Sequence, residues 1–182
     1  MKFRPSRLSG AWLIELEAVA DERGSFARTF CTREFAARGL ESGFVQHSAS
    51  RTLHKGTVRG MHFQREPHGE VKLVRCVRGS VYDIILDLRP QSPTYLEWEG
   101  FELSAENGRQ VYIPKGIAHG VQSLSDDSEL SYLISTEYAP HAASGYRHDE
   151  PAFAIEWPLP IAMIAAKDLA WPRFAEQQEA HR

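Results

Sequence analysis

Residues 108–119 read Gly-Arg-Gln-Val-Tyr-Ile-Pro-Lys-Gly-Ile-Ala-His. A strand there would rise into a turn, where Pro114 fixes φ and Gly116 accepts a left-handed conformation, and the next strand would open near His119. A second histidine follows Gly56 in His62-Phe63-Gln64. Two imidazoles raise the question of a metal, but a divalent transition ion wants imidazole, carboxylate or thiolate donors, and the Gln64 amide is a poor substitute. His62 and His119 alone would make a weak site, so neither metal nor cofactor is expected. Proton transfer is the chemistry these residue types suit better, since histidine titrates near neutrality. Two more side chains break their surroundings. Lys72 shares a strand face with Val74 and Cys76, and Tyr132 shares one with Leu130 and Ile134. A lysine entering an apolar face is odd for structure and natural for a site, where it can stabilise developing negative charge.

The elements that must position these residues are short strands. Residues 12–19, 71–77, 81–88, 96–103, 110–113, 130–136 and 153–157 alternate or are β-branched, with turn signals between them, such as Arg89-Pro90-Gln91-Ser92-Pro93 and Glu106-Asn107-Gly108. One helix is predicted over 33–38, with Thr32 able to cap its start and Gly39 its end, and a short helical turn after Ala166. Many short strands at regular spacing mean a sandwich, jelly roll or barrel. The Gly108 to His119 pattern matches the second cupin signature, G-x5-P-x-G-x2-H, and Gly56 to Gln64 matches the first, G-x5-H-x-H, except at its last histidine. The expected fold is therefore all-β, a cupin-type double-stranded β-helix (jelly roll) with a few short helices.

The bulk properties fit one such domain across 1–182, with residues 175–182 as a frayed polar tail. Twenty-one basic and 24 acidic residues leave a formal net charge of −3, which gives no reason to expect nucleic acid or an anionic membrane as partner. Cys31 and Cys76 form no CxxC and lie near no metal-like pattern. The start, Met1-Lys2-Phe3-Arg4-Pro5, has no signal-peptide core, and residues 161–166 are too short an apolar run to span a bilayer. A reducing, cytoplasmic location is expected.

Beyond the two signatures, a longer set of motifs resembles the dTDP-4-dehydrorhamnose 3,5-epimerase family. Arg59-Gly60-Met61-His62-Phe63-Gln64 and Lys72-Leu73-Val74-Arg75 are similar to its R-G-L-H-F-Q and K-L-V-R stretches. Asp21-Glu22-Arg23-Gly24-Ser25-Phe26 resembles its D-x-R-G-x-F opening. Asp87-Leu88-Arg89 with Ser92-Pro93-Thr94, Tyr138-Ala139-Pro140, Asp149-Glu150-Pro151 and Lys167-Asp168 resemble its later landmarks, in order, from about residue 10 to about residue 174.

The resemblance implies epimerisation of a nucleotide-linked 4-keto-6-deoxy sugar at C3, C5 or both. His62 would be the general base beside the ketone, with Asp168 holding and polarising its imidazole. Tyr132 would deliver a proton to the opposite face, and Lys72 would sit beside the enolate oxygen. Arg23, Phe26, Gln46, Ser48, Arg59, His119, Tyr138 and Lys167 would contact the nucleotide diphosphate or the sugar. A hydrogen α to a ketone is acidic only because the carbanion spreads onto oxygen, so a base, a cation at the oxygen and an acid on the far face suffice. The expected partner is the nucleotide-sugar substrate, and the resemblance implies a homodimer, with the strand over 12–19 able to cross between subunits.

Each residue also has a structural reading when taken alone: His62 as a satisfied core histidine, Tyr132 as rim packing, Lys72 as a snorkelling strand end, Lys167-Asp168 as a solvated helix start. Arg59 and His62 have opposite strand parity, so they share a pocket only if Gly60 bulges or Arg59 serves a partner subunit. The chain departs from the family at Arg28, Ser48 and Ala143, where a glutamate, an asparagine and an acidic residue are common. These departures leave open whether the sugar carries dTDP, CDP or GDP. Three other readings compete: a 3,4-ketoisomerase, a metal-dependent cupin, and a non-catalytic sugar-binding cupin.

Overall fold

The computed structural model describes residues 1–175, and the polar tail expected to fray lies almost wholly outside the described residues. Two sheets face one another. The first runs β1(Lys2–Pro5), β2(Trp12–Glu15), β10(Arg109–Ile113), β7(Lys72–Arg78), β12(Ser128–Ile134), β5(Gln46–Thr52). The second runs β13(Ala143–Gly145), β6(Thr57–Gln64), β11(Ile117–Ser123), β8(Ser80–Asp87), β9(Trp98–Ser104), with β14(Met163–Ile164) parallel to β6. A separate hairpin, β3(Val19–Asp21) with β4(Gly24–Phe26), pairs with itself. Helical elements among the described residues include α1(Thr32–Ala36) and α2(Ala166–Leu169). This is the cupin-type jelly roll expected of the sequence. None of the helices among the described residues is long and apolar enough to cross a membrane.

Among the described residues, strand alternation sorts the side chains into three cores. Val74 and Cys76 of β7, Val81 and Ile85 of β8, Ile117 and Val121 of β11, and Leu130 of β12 meet between the sheets. The opposite face of the second sheet, through Met61, Ile84, Leu86 and Ala118, packs against Tyr146 and Phe153 of the C-terminal segment. The outer face of the first sheet is covered by Phe35 of α1 with Phe30 and Phe44. The residues that face inward on β7, β8, β11 and β12 therefore share one interior, apolar at one end and polar at the other.

Several expected elements are corrected. The strand over 12–19 splits, because its ladder with β10 ends at the Arg109–Glu15 pair, and residues from Val19 belong to the hairpin instead. Residues 153–157 form no strand: Phe153 is buried in the second core, Ala154 adopts φ 47, and Trp157 donates its indole N–H to the His148 carbonyl at 3.1 Å. The helix begins at Thr32, so Cys31 occupies the N-cap position, where it offers no side-chain cap. Gly39, at φ 68, still ends the turn that follows.

Candidate active site

Lys72, Asp83, His119 and Tyr132 all lie on the interior face, in phase with the apolar residues of the central core. His62 joins them from β6, where it pairs directly with His119 of β11. The two sheets thus contribute differently. His62, Asp83 and His119 come from one, and Lys72 and Tyr132 from neighbouring strands of the other.

The His62 Nε2 lies 2.8 Å from Asp168 Oδ1, and the other carboxylate oxygen accepts a 3.4 Å hydrogen bond from the Gly60 amide. Asp168 is fully buried in α2, while the His62 side chain keeps about a third of its surface exposed. Burial alone would raise the Asp168 carboxyl, but the His62 hydrogen bond and charge and the Gly60 N–H outweigh it, leaving Asp168 below its ordinary value. The edge of Trp171 stands 6.2 Å from the His62 ring, centroid to centroid, so the C-terminal segment supplies both a partner and a wall.

A second pair repeats this arrangement deeper in. His119 Nε2 lies 2.7 Å from Asp83 Oδ2, and Asp83 is fully buried, with its other oxygen lacking a hydrogen-bond partner among the described residues. The Tyr132 ring meets His119 edge-on at 6.0 Å. Burial pushes the Tyr132 phenol above the usual tyrosine range, with the Asp83 charge adding to the effect and Arg59 and a Ser50 hydrogen bond opposing it. A phenol in these surroundings holds its proton until a strong base asks for it.

The parity conflict between Arg59 and His62 resolves at Gly60. The β6–β11 register shifts between His119 opposite His62 and Val121 opposite Arg59, so one extra residue is accommodated on β6. Gly60 adopts φ 134, and a Cβ there would lie 2.5 Å from the Gly120 Cα. Arg59 then turns to the chain's own interior side, with its guanidinium donating to Thr52 Oγ1 at 3.1 Å and to the Arg51 carbonyl at 3.1 Å.

The remaining expected binding residues divide into two groups. Gln46 and Ser48 lie on the edge strand β5, with Ser48 directly opposite Tyr132, and Gln46 accepts the Tyr138 amide at 3.0 Å. Tyr138 itself is 64% exposed, and Lys167 is exposed beside Asp168. Arg23 and Phe26 stand apart on the self-paired hairpin, where Arg23 pairs with Asp21 at 2.6 Å and Phe26 is 79% exposed. The structure does not bring these two to the His62 pocket of their own chain.

Sequence reasoning passed over Asp83, Ser50 and Trp171. Asp83 carried a signal: a carboxylate in Val81-Tyr82-Asp83-Ile84-Ile85 breaks an otherwise apolar run just as Lys72 does. Gln64, by contrast, is fully occupied by its neighbours. Its carbonyl takes the Ala139 amide at 2.7 Å, and its NH2 group donates to the His68 carbonyl and to Glu70.

The family model described as dTDP-4-dehydrorhamnose 3,5-epimerase matches residues 5–176. The chain belongs to the dTDP-4-dehydrorhamnose 3,5-epimerase family. Among relatives of this epimerase family, the dTDP-4-dehydrorhamnose 3,5-epimerase of Methanothermobacter thermautotrophicus is 44% identical over 96% of this chain and 95% of its own. The dTDP-4-dehydrorhamnose 3-epimerase of Streptomyces niveus is 39% identical over 99% of this chain and 87% of its own. Among solved structures, the dTDP-6-deoxy-D-glucose-3,5-epimerase of Legionella pneumophila, in complex with dTDP-4-keto-L-rhamnose, superposes with a TM-score of 0.89. That structure is 34% identical and covers 94% of this chain and 92% of its own.

Proposed function

We propose that this chain epimerises a dTDP-linked 4-keto-6-deoxy sugar, dTDP-4-dehydro-6-deoxyglucose in the first instance, in deoxysugar biosynthesis. It is then an isomerase of the racemase and epimerase class. The observation that carries this reading is that His62 and Tyr132 face a shared interior from opposite sheets. A sugar ring lying between them offers one face to the imidazole and the other to the phenol.

Asp168 occupies His62 Nε2, which leaves Nδ1 to take the proton from the carbon beside the ketone. The electron pair moves onto the ketone oxygen, where the Lys72 ammonium stabilises the enolate. Tyr132 then donates its proton to the same carbon from the far side, which inverts the centre, and solvent exchange restores both groups. The high affinity of the buried phenol for its proton keeps it in the donor form through neutral pH. Arg59, His119, Gln46, Ser48, Tyr138 and Lys167 would hold the diphosphate and sugar around this centre. Arg23 and Phe26 would act across a homodimer. The exposed Val19 and Phe26 of the hairpin, 75% and 79% accessible, support a second copy of the chain covering them. Light scattering on the eluting protein tests that dimer. Free Cys31 and Cys76 are compatible with a cytoplasmic location.

Incubation with dTDP-4-keto-6-deoxyglucose in deuterated buffer, followed by proton NMR, tests the reaction. Exchange at C3 or C5 that disappears in His62→Ala supports it and identifies the centre, while CDP and GDP counterparts test the nucleotide. The 3-epimerase relative makes C3 alone a specific second outcome. A product with its carbonyl moved to C3 would instead make the protein a ketoisomerase. Binding of the nucleotide sugar without any exchange would overturn the proposal.

A further inference from the structure

Lys72 is held by a carboxylate that belongs to no assigned role. Glu70, two residues earlier and on the same side of the chain, places Oε1 2.9 Å from the Lys72 Nζ, and the two side chains are only 11% and 12% exposed. The other oxygen of Glu70 accepts the Gln64 NH2 group at 3.0 Å. Gln64 is itself immobilised at both ends of its amide. Its oxygen takes the Ala139 N–H at 2.7 Å, and its two N–H hydrogens are shared among Glu70 and the carbonyls of His68 at 3.1 Å and Glu137 at 3.3 Å. Gln64 is 5% exposed, so none of these partners is readily exchanged for water.

We infer that Glu70, clamped by Gln64, is a positioning residue for Lys72. The chain of contacts gives the physical reason. A lysine side chain has four rotatable bonds and about 2 kcal/mol of rotamer entropy, so a free Lys72 would sample many positions. Charge stabilisation of an enolate is effective when the cation is already in place as the charge develops. Glu70 removes that freedom, and Gln64 fixes Glu70 against the rim segment that carries Tyr138. The glutamine standing where a metal-binding cupin carries a histidine thus serves as the anchor of a lysine.

This inference rests on the proposed role of Lys72, and the experiment separates the two. Lysine ammonium signals in a 1H–15N correlation spectrum, with Lys72 assigned through Lys72→Arg, report positioning without any need for activity. The wild-type Lys72 signal should be protected from water exchange and lost in Glu70→Ala. A Lys72 signal unchanged in Glu70→Ala overturns the inference, whatever the reaction proves to be. Deuterium incorporation then tests its catalytic meaning. Glu70→Ala should lower the exchange rate tenfold or more while dTDP affinity stays within twofold, and Glu70→Gln, which can still accept from the ammonium, should recover most of the rate. In the Lys72→Ala background, Glu70→Ala should add no further loss, because it acts through the lysine. An equal loss in both backgrounds, or a fall in dTDP affinity in step with the rate, would make Glu70 a merely structural residue. Full exchange activity in Lys72→Ala would overturn the role of the lysine itself and Glu70's catalytic meaning with it, while the spectrum still reports the contact.

Discussion

His62 and Asp168 are 106 residues apart in the chain and 2.8 Å apart in space, joined Nε2 to Oδ1. The contact joins an interior strand to a late segment of the chain: β6 carries the imidazole, and α2, packed back onto β6, brings the carboxylate. Asp168 has a second partner in the Gly60 amide, so it fixes both the ring and the bulge beside it. Replacing it with alanine should leave the fold intact while freeing the imidazole to rotate. The expected result is a fall in the solvent-exchange rate of about 100-fold, against about 100- to 10,000-fold for His62→Ala. A double variant no slower than His62→Ala alone would show that Asp168 acts through the histidine.

Tyr132→Phe should separate the two halves of the reaction. The His62 side still removes a proton, so deuterium still enters the substrate carbon, but it returns on the original face. Inverted product should drop by at least about 100-fold while exchange with retention persists. Because burial raises the Tyr132 phenol above its ordinary value of 10, no alkaline loss of activity below that pH should trace to it. An alkaline limb near neutrality that vanishes in Tyr132→Phe would contradict the assignment.

The central frame was legible because its signals are local. Alternation in 71–77 and 130–136 put Lys72 and Tyr132 on inward faces, and the Pro114–Gly116 turn placed His119 near the start of β11. What the sequence hid is non-local. Strand β6 has glycine at its centre and a bulge, so its alternation breaks where its chemistry lies. Residues 153–157 looked like a strand because Phe153, Ile155 and Trp157 alternate, yet all three join the second core from an irregular segment. Alternation reports burial on one side, and a strand also needs a partner. The Asp83–His119 pair needed the β8–β11 pairing, which no single segment encodes.

Gly60 should tolerate no side chain. Its φ of 134 is strained for any L-residue, and the new Cβ would lie 2.5 Å from the Gly120 Cα, which is backbone and cannot move aside. Gly60→Ala should cost at least about 2 kcal/mol in denaturant unfolding. It should also disturb the Arg59 and His62 orientations together. A variant of wild-type stability would mean that β6 reaches its register without the bulge.

Asp87 should set the acid limit of the fold rather than the reaction. Its buried carboxylate accepts hydrogen bonds from the Arg89 backbone N–H, Nε and Nη2, from Ser92 Oγ and from Thr94 Oγ1. Burial would raise its pKa, but these donors, Arg89 first, lower it from 3.8 to about 2. A depressed folded-state value means the unfolded chain binds the proton more tightly. The stabilisation is therefore fully present above the unfolded value and is lost as pH falls from about 4 towards 2. The shift corresponds to about 2 kcal/mol. Asp87→Asn should be less stable than wild type by at least that much at pH 7 in urea unfolding, and the gap should narrow as pH approaches 2. A gap that stays constant across that range would assign the cost to lost packing and hydrogen-bond geometry rather than to the charge of Asp87.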